Sequence, residues 1–174
     1  MKKMILIPAL AGVLALSAVA MTGYTVEAAT NGLLTMEKAR AIAVKSVGGK
    51  VTEIELKRKK SGSMYEVEVQ SKGFEYDLDI NAKTGKILRT DKDDLDDMDD
   101  DDVIVFTKKF ITPEAAEKIA LKKAKGAIVK VALENDDNRV IYEIEMEDGL
   151  YEYDFDIDAI SGKILEFEKD KKND

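Results

Sequence analysis

The chain has 174 residues, of which 36% are charged and 45% hydrophobic, and its formal net charge is −8. It contains no cysteine, histidine or tryptophan, which excludes a disulfide framework, a thiolate nucleophile, an imidazole base and a zinc site of the usual nitrogen and sulfur ligands. Because binding to a phosphate backbone draws on clustered positive charge, the acidic balance also argues against a nucleic acid as partner.

Residues 1–29 have the order of a secretory signal peptide. Two lysines precede an apolar stretch over residues 5–21, and small residues offer cleavage sites after Ala20 or Ala28. An uncleaved N-terminal anchor is the alternative, because about 17 apolar residues fall just short of a comfortable membrane span. With no cysteine after this stretch, lipoprotein processing is excluded. Both interpretations predict that the folded part is secreted or lies in the cell envelope.

The rest of the chain contains one sequence unit twice. Residues 34–88 align without a gap on residues 111–165 at a shift of 77, which takes Thr35 onto Thr112, and about 21 of about 55 aligned positions are identical. A repeat of this length predicts two copies of a complete folding unit rather than solenoid turns. We therefore expect repeat 1 over residues 33–90 and repeat 2 over residues 104–168.

Each repeat is predicted to open with a helix. Thr35 and Thr112 suit the N-cap position, and Pro113 suits the first helical turn. Alanine, isoleucine and valine recur at helical spacing and form one narrow apolar stripe, with lysines on the outer face. Glycines at positions 48, 49 and 126 are expected to end the two helices.

Three or four strands are predicted to follow each helix. Lys72-Gly73 and Asp148-Gly149 are typical of tight hairpins, and strands joined through short turns are antiparallel. The predicted fold is therefore α+β, with two repeated units, each an N-terminal helix packed on an antiparallel β-meander of three or four strands. The predicted strands are residues 51–59, 64–71, 74–81 and 86–90 in repeat 1, and residues 128–134, 140–147, 150–158 and 163–167 in repeat 2.

The segments outside the repeats are strongly charged. Residues 91–103 are rich in aspartate and are predicted to form a solvated linker, and residues 169–174 are predicted to be a frayed, charged tail. Oxygen ligands suit calcium, but the aspartate run lacks the Asp-x-Asp-x-Asp-Gly spacing and the closing glutamate of a specific calcium loop. We expect at most weak, diffuse calcium binding, with no cofactor and no defined metal site.

The middle strands alternate between apolar side chains and carboxylates. The apolar side is predicted to carry the helix, and the carboxylates to face water. Facing carboxylates on paired strands destabilise each other. Lys57 and Lys59 can offset those of repeat 1, whereas repeat 2 has only Lys130, so its acidic face is predicted to be the less neutralised one. The candidate partner-binding residues are Glu143, Glu145, Glu152, Asp154 and Asp156.

Three interpretations of this face remain open: an ordinary hydrated sheet surface, a docking surface for a basic partner, and a calcium site. The tyrosines at positions 65, 142, 76 and 153 could form an aromatic recognition site, but their strand parity assigns them to the core. The sequence has no Ser-x-x-Lys and no phosphate-binding glycine pattern, and its carboxylates follow the strand period. We therefore predict a protein that is not an enzyme, with no catalytic residues.

The repeated unit resembles the PepSY domain. The resemblance rests on the helix opening Thr-x-Glu-x-Ala-x-x-Ile-Ala, on a Tyr-Glu-Val/Ile-Glu strand, and on Tyr-Asp-x-Asp-Ile followed by Gly-Lys-Ile-Leu. It covers residues 34–90 and 111–167. Pro113 stands where the family often has proline, whereas Met36 departs from that pattern.

The resemblance implies a helix over an antiparallel sheet, with the sheets of two units joined as in a secreted β-lactamase-inhibitory protein. It also implies a protein partner, an extracellular peptidase or cell-wall hydrolase that this chain inhibits or regulates. This role is an analogy at the level of the fold. An acidic, cation-binding envelope protein is the alternative, and the edge strands leave a dimer open.

Overall fold

The computed structural model describes residues 32–95, 103–106, 109–136 and 139–172. The predicted signal peptide, residues 1–29, lies outside these ranges. The order of elements confirms the predicted α+β class, because one helix followed by four strands occurs twice. The elements are α1 (Met36–Val47), β1 (Lys50–Lys59), β2 (Gly62–Ser71), β3 (Phe74–Asn81), β4 (Ile87–Asp94), α2 (Pro113–Lys123), β5 (Ala127–Asp136), β6 (Arg139–Glu147), β7 (Tyr151–Asp158) and β8 (Ile164–Lys171).

Both helices begin at the predicted threonine. The Thr35 hydroxyl accepts from the Lys38 backbone N–H at 3.3 Å, and the Thr112 hydroxyl accepts from the Ala115 N–H at the same distance. Each bond satisfies one of the donors that a helix start leaves without an intrahelical acceptor.

The two helices end differently. Gly48 caps α1 with φ 74°, as predicted, but α2 ends at Ala124 in an extended conformation. The expectation that Gly126 ends α2 is therefore wrong. A Cβ at Gly126 would lie 2.6 Å from the Glu147 carbonyl oxygen, so this glycine is needed because two backbones approach closely.

The eight strands form a single antiparallel sheet in the order β4-β3-β2-β1-β5-β6-β7-β8. The two meanders join through their first strands, where Ile54 of β1 lies opposite Val131 of β5. These two residues occupy equivalent positions of the repeats, so a pseudo-two-fold axis passes between them. The joined sheet confirms what the resemblance implied.

Both helices pack on the same side of the sheet. Small residues allow a close approach: Ala39 and Ala43 of α1, and Ala116 and Ala120 of α2, are fully buried. Complete burial of a large apolar side chain contributes about 1.5–3 kcal/mol relative to exposure. The largest fully buried side chains beneath the helices are Ile54, Val67, Val69, Leu78, Ile80, Ile144, Met146, Phe155 and Ile157.

Two equivalent tyrosines tie the chain before each helix to the sheet. The Tyr65 hydroxyl donates to the Leu34 carbonyl at 2.6 Å, and the Tyr142 hydroxyl donates to the Ile111 carbonyl at 2.8 Å. Both tyrosines are buried, as is Tyr153, which confirms the core assignment for these three; Tyr76 is half-buried.

Strand β4 is longer than predicted. It continues to Asp94, through residues that the sequence analysis assigned to the linker. Asp91 is buried and accepts from Arg89 Nη1 at 2.7 Å, and Lys92 Nζ lies 3.1 Å from the centre of the Phe74 ring. These contacts offset the repulsion among the aspartates.

Val103, the last residue of the predicted linker, and Ile104 after it are also anchored. The Asn135 side chain donates to the Val103 carbonyl at 3.0 Å. The Gln70 amide, oriented so that both of its groups are satisfied, bonds the N–H and C=O of Ile104 at 3.2 Å each, and Ile104 is buried. The prediction of a solvated linker over residues 91–103 is therefore wrong at both ends, and residues 96–102 lie outside the described ranges.

Candidate functional site

The sheet surface opposite the helices carries the carboxylates, and we call it the acidic face. The strand register aligns one residue of each strand into a line that crosses the whole sheet, which we call the acid row. Seven of its eight positions are acidic, and neighbouring strands are about 4.8 Å apart. In strand order from β4 to β8 the acid row is Asp91, Asp77, Glu68, Glu53, Ala132, Glu143, Asp156 and Glu166.

The neighbouring line on the same face, the mixed row, contains two basic residues. Arg89 lies at one end and Lys130 at the centre, beside the pseudo-two-fold axis. In this row, a basic residue lies next to an acidic one only at Arg89 and at Lys130. The mixed row is Arg89, Asp79, Glu66, Glu55, Lys130, Glu145, Asp154 and Glu168.

Four of the five predicted binding residues lie together in these rows. Glu143 is opposite Asp156, and Glu145 is opposite Asp154, on the paired strands β6 and β7. Burial and the neighbouring acids raise the pKa of both aspartates above the usual value. Glu152 lies one row further out and contacts Lys172 at 3.7 Å, so it is at the margin of the cluster.

Lys130 supplies much of the positive charge of the acidic face. Its ammonium group lies 2.9 Å from Glu143, 3.7 Å from Glu134 and 3.8 Å from Glu145. Burial alone would lower the pKa of Lys130, but the hydrogen bond to Glu143 and the charges of Glu53 and Glu143 raise it above its usual value. Repeat 2 is thus neutralised at its centre by one lysine shared among three carboxylates.

Repeat 1 also contains a carboxylate whose charged form is disfavoured. Lys59 binds Glu66 at 3.2 Å, and Lys57 binds Glu55, so these two lysines act as predicted at one end of the strands. In the next row, Glu68 forms no salt bridge with any residue that the structure describes. Burial and the charges of Glu53, Glu75 and Asp77 raise the pKa of Glu68 to about 8. Repeat 1 thus also holds a poorly neutralised carboxylate, and the expectation that repeat 2 is the less neutralised unit stays a prediction.

Sequence reasoning missed Glu53 and Glu68 as members of the candidate site. Their strand parity could have placed them on the acidic face, but the pairing of β1 with β5 could not be read from a local pattern. That pairing puts Glu53 one strand from Ala132 and two strands from Glu143. Burial, with added repulsion from Glu55 and Glu143, raises the pKa of Glu53.

The arrangement suits a basic macromolecule better than a single metal ion. Calcium takes six to eight oxygens at about 2.3–2.6 Å around one point. The carboxylates of the acid row instead lie side by side along a line, and no group of three or more metal-ligating side chains converges within the described residues. A partner that presents several lysines or arginines would meet several carboxylates at once.

The opposite side of the molecule has an open cleft of about 390 Å³ between α1, the N-terminal end of α2 and the linker. Arg40 in this cleft binds Glu114 at 2.8 Å, and Lys50 lies over the Phe106 ring at 3.9 Å. These contacts hold the two units and the linker together. No helix in the described ranges is both long and apolar enough to cross a membrane.

Residues 33–91 and 110–168 each match the model of the PepSY family, which is described as the peptidase propeptide and YPEB domain. The two matches together cover more than half of the chain and coincide with the two helix-and-meander units.

Two relatives and one solved structure extend the comparison. The uncharacterized protein YkoJ of Bacillus subtilis (strain 168) is 33% identical over 138 residues, which cover 79% of this chain and 75% of that protein. The uncharacterized protein Spy1430 of Streptococcus pyogenes serotype M6 is 36% identical over 92 residues, which cover 48% of this chain and 71% of that protein. A Clostridium difficile 630 protein described as a lipoprotein has a similar fold, with a TM-score of 0.50 and 23% identity over 80% of this chain and 94% of that chain.

Proposed function

Because this chain belongs to the PepSY family and carries two of its domains in tandem, we propose that it is a non-enzymatic protein-interaction module of the cell exterior. It binds a basic surface of a peptidase or cell-wall hydrolase through its acidic face and restrains that enzyme. The family description, peptidase propeptide, supports a regulatory role toward a peptidase. The signal-peptide order of residues 1–29 supports a location outside the cytoplasm.

The observation that carries this proposal is the acid row. Carboxylates that face each other across paired strands cost stability, and here the pKa values of Glu53, Glu68 and Asp156 are raised. A cationic partner relieves this repulsion, so part of the cost in the free protein is recovered on binding. Complementary charge also accelerates association and selects among partners.

The acid row can be tested with two variants of equal charge. Glu68→Gln with Asp156→Asn neutralises two positions of the acid row, and neither carboxylate forms a salt bridge within the described residues. Binding is compared at about pH 9, above the raised pKa of Glu68 of about 8, so that this carboxyl is ionised in the wild type. At that pH, Glu37→Gln with Asp94→Asn also removes two negative charges, at two exposed positions outside the acid row. Residues 30–174 of the wild type and of both variants would be immobilised and exposed to secreted and envelope proteins of the same organism.

We expect one peptidase or wall hydrolase to be enriched by the wild type, and its turnover to slow when the soluble protein is added. The acid-row variant should bind that enzyme about tenfold more weakly or worse, a loss of about 1.4 kcal/mol, while the control variant binds within a factor of about two. Equal binding by all three proteins would contradict the role of the acid row. A melting temperature that depends on calcium, with no enzyme captured, would instead support the cation-binding alternative.

A further inference from the structure

Because the two repeats face each other across a pseudo-two-fold axis, equivalent positions meet near that axis. In an unmodified duplicate, the charges close to the axis on one repeat would face the same set of charges on the other. We call this boundary the seam. It has a helix layer, where α1 contacts α2, and a sheet layer, where β1 pairs with β5.

The helix layer of the seam carries opposite charges at one equivalent pair of positions. Arg40 of α1 and Glu117 of α2 are related by the 77-residue shift, and Arg40 Nη2 donates to Glu117 Oε1 at 2.8 Å. Arg40 Nη1 also donates to Glu114 at 2.8 Å. Only 8% of Arg40 is exposed, and the bond to Glu117 is the better shielded of the two, since the Glu117 side chain is 20% exposed and that of Glu114 is 42% exposed. The equivalent of Glu114 in repeat 1 is Glu37.

The sheet layer repeats this reversal of charge. Glu53 and Lys130 are equivalent positions, as are Glu55 and Ala132. The register places Glu55 opposite Lys130, and Glu53 opposite Ala132. One side of the axis thus pairs a glutamate with a lysine, and the other pairs a glutamate with a small neutral residue.

We propose that the seam is an interaction surface whose charges fit each unit to the opposite unit and disfavour a like unit. Two copies of repeat 1 would place two Glu53 side chains opposite two Glu55 side chains in the sheet layer. Two copies of repeat 2 would bring two Glu114 and two Glu117 side chains together in the helix layer. Each like pairing therefore collects four glutamates in one layer, whereas the pairing of repeat 1 with repeat 2 avoids both clusters.

The partner that this surface fits is the opposite repeat of the same chain. This inference does not depend on the proposed function, because it concerns the surface between the units and not the acidic face. Like charges opposed at close range oppose association, while a shielded arginine with two carboxylates favours it.

The helix layer can be tested by exchanging its charges. Arg40→Glu alone places three glutamates together, and we expect the melting temperature to fall by on the order of 10 °C. Arg40→Glu with Glu117→Arg should recover at least half of that loss. In the double variant, the new arginine at position 117 can reach position 40 and Glu37, the mirror image of the present contacts of Arg40.

Glu37 provides a readout that a simple loss of packing would not change. Glu37→Gln should change the melting temperature of the wild type little, because Glu37 is exposed and forms no salt bridge with the described residues, and its charge acts on Glu117 only at a distance. The same substitution should lower the melting temperature of the exchanged double variant. If Arg40→Glu alone does not fold, the proposal predicts that Arg40→Glu with Glu117→Arg does fold. Failure of this double variant to fold would overturn the proposal.

The sheet layer gives an independent test. Lys130→Glu gathers glutamates at three of the four seam positions, 53, 55 and 130, and should lower the melting temperature, whereas Glu53→Lys should not. The double exchange Glu53→Lys with Lys130→Glu should be more stable than Lys130→Glu alone, because a lysine at position 53 lies in the mirror position of Lys130.

Arg89 provides the matched control, since it also binds two carboxylates, Asp79 at 2.9 Å and Asp91 at 2.7 Å, but within one repeat. Arg89→Glu combined with Glu117→Arg should lower the melting temperature by the sum of the decreases that the two single substitutions cause. The proposal is overturned if the losses of melting temperature are also additive in Arg40→Glu with Glu117→Arg. It is equally overturned if Glu37→Gln changes the melting temperature of neither the wild type nor that double variant.

Discussion

Glu68 lies where three neighbouring strands place carboxylates side by side. Its register neighbours are Glu53 on β1 and Asp77 on β3, and Lys57 and Lys59 of β1 lie closer to the other end of the strand. Burial is the largest cause of its raised pKa, and the neighbouring acids add to it. At the residue scale, the acidic face therefore contains a group whose charged form is disfavoured.

The raised pKa of Glu68 predicts how stability depends on pH. The pKa is raised from 4.5 to about 8 in the folded protein, so the folded state binds more protons than the unfolded state between these values. The free energy of unfolding should decrease as the pH rises through this window. Glu68→Gln removes the titrating group, and above pH 8 it should stabilise the protein by on the order of 2 kcal/mol, with a smaller difference near about pH 5.

Urea unfolding of the wild type and Glu68→Gln across this pH range would measure the effect. Glu66→Gln on the same strand is the matched control: its carboxylate contacts Lys59 at 3.2 Å, so its removal should give no gain at high pH. Parallel pH curves for the wild type and Glu68→Gln would contradict the prediction.

At the scale of the elements, β8 shows why a charged segment can still be a strand. The sequence prediction ended this strand at Phe167 and assigned residues 169–174 to a frayed tail, but the strand pairs with β7 as far as Lys171 opposite Tyr151. Lys169 lies 3.8 Å from the centre of the Tyr151 ring, and the Phe167 and Phe155 ring centres are 4.9 Å apart. Lysines and aromatic rings on one face thus compensate for the acids on the other.

Truncation of the C-terminus would distinguish a strand from a tail. Deleting residues 168–174 removes the last backbone bonds to β7 and the ion pairs of Lys172 with Glu147 and Glu152. We expect a loss of about 1–3 kcal/mol in the free energy of unfolding, measured by urea denaturation. Deleting residues 173–174 alone is the control and should change nothing measurable. A full deletion as stable as the wild type would show that the segment adds no stability.

At the scale of the whole molecule, the excess of negative charge lies on the acidic face of the sheet. The net charge is −8, and the acid row runs across all eight strands. The helix side instead holds Arg40 in the seam and lysines on the outer faces of the helices. Repulsion among like charges therefore lowers the stability of the folded state mainly on the acidic face.

Salt should stabilise the folded protein. Raising NaCl from about 0.01 M to about 1 M shortens the Debye length from about 30 Å to about 3 Å, which screens the repulsion along the acid row. The Arg40 guanidinium is buried, so its attraction to Glu117 is screened less. We expect the melting temperature to rise by several degrees in the wild type, and by less in the Glu68→Gln, Asp156→Asn variant. A melting temperature that falls with salt, or an equal rise in both proteins, would contradict this account.

The sequence by itself determined the features that depend on local periodicity and on the repeat. The shift of 77 residues gave two units, the period of two placed Tyr65 and Tyr142 in the core and the carboxylates on the other face, and Thr35 and Thr112 marked the helix starts. These predictions held because each depends on residues close together in the chain, where the spacing of side chains on a helix or strand is fixed.

Only the tertiary structure decided which strands join the two meanders and in what register the strands pair. The pairing of β1 with β5 placed Glu53 beside Lys130, aligned the acid row through Glu68, and brought Arg40 against Glu117. It also showed that β4 and β8 continue through charged residues, because ring and ion contacts from neighbouring strands compensate for them. The physical reason is that a strand edge offers the same backbone groups to any partner, so the choice depends on side chains about 77 residues apart, which no local pattern relates.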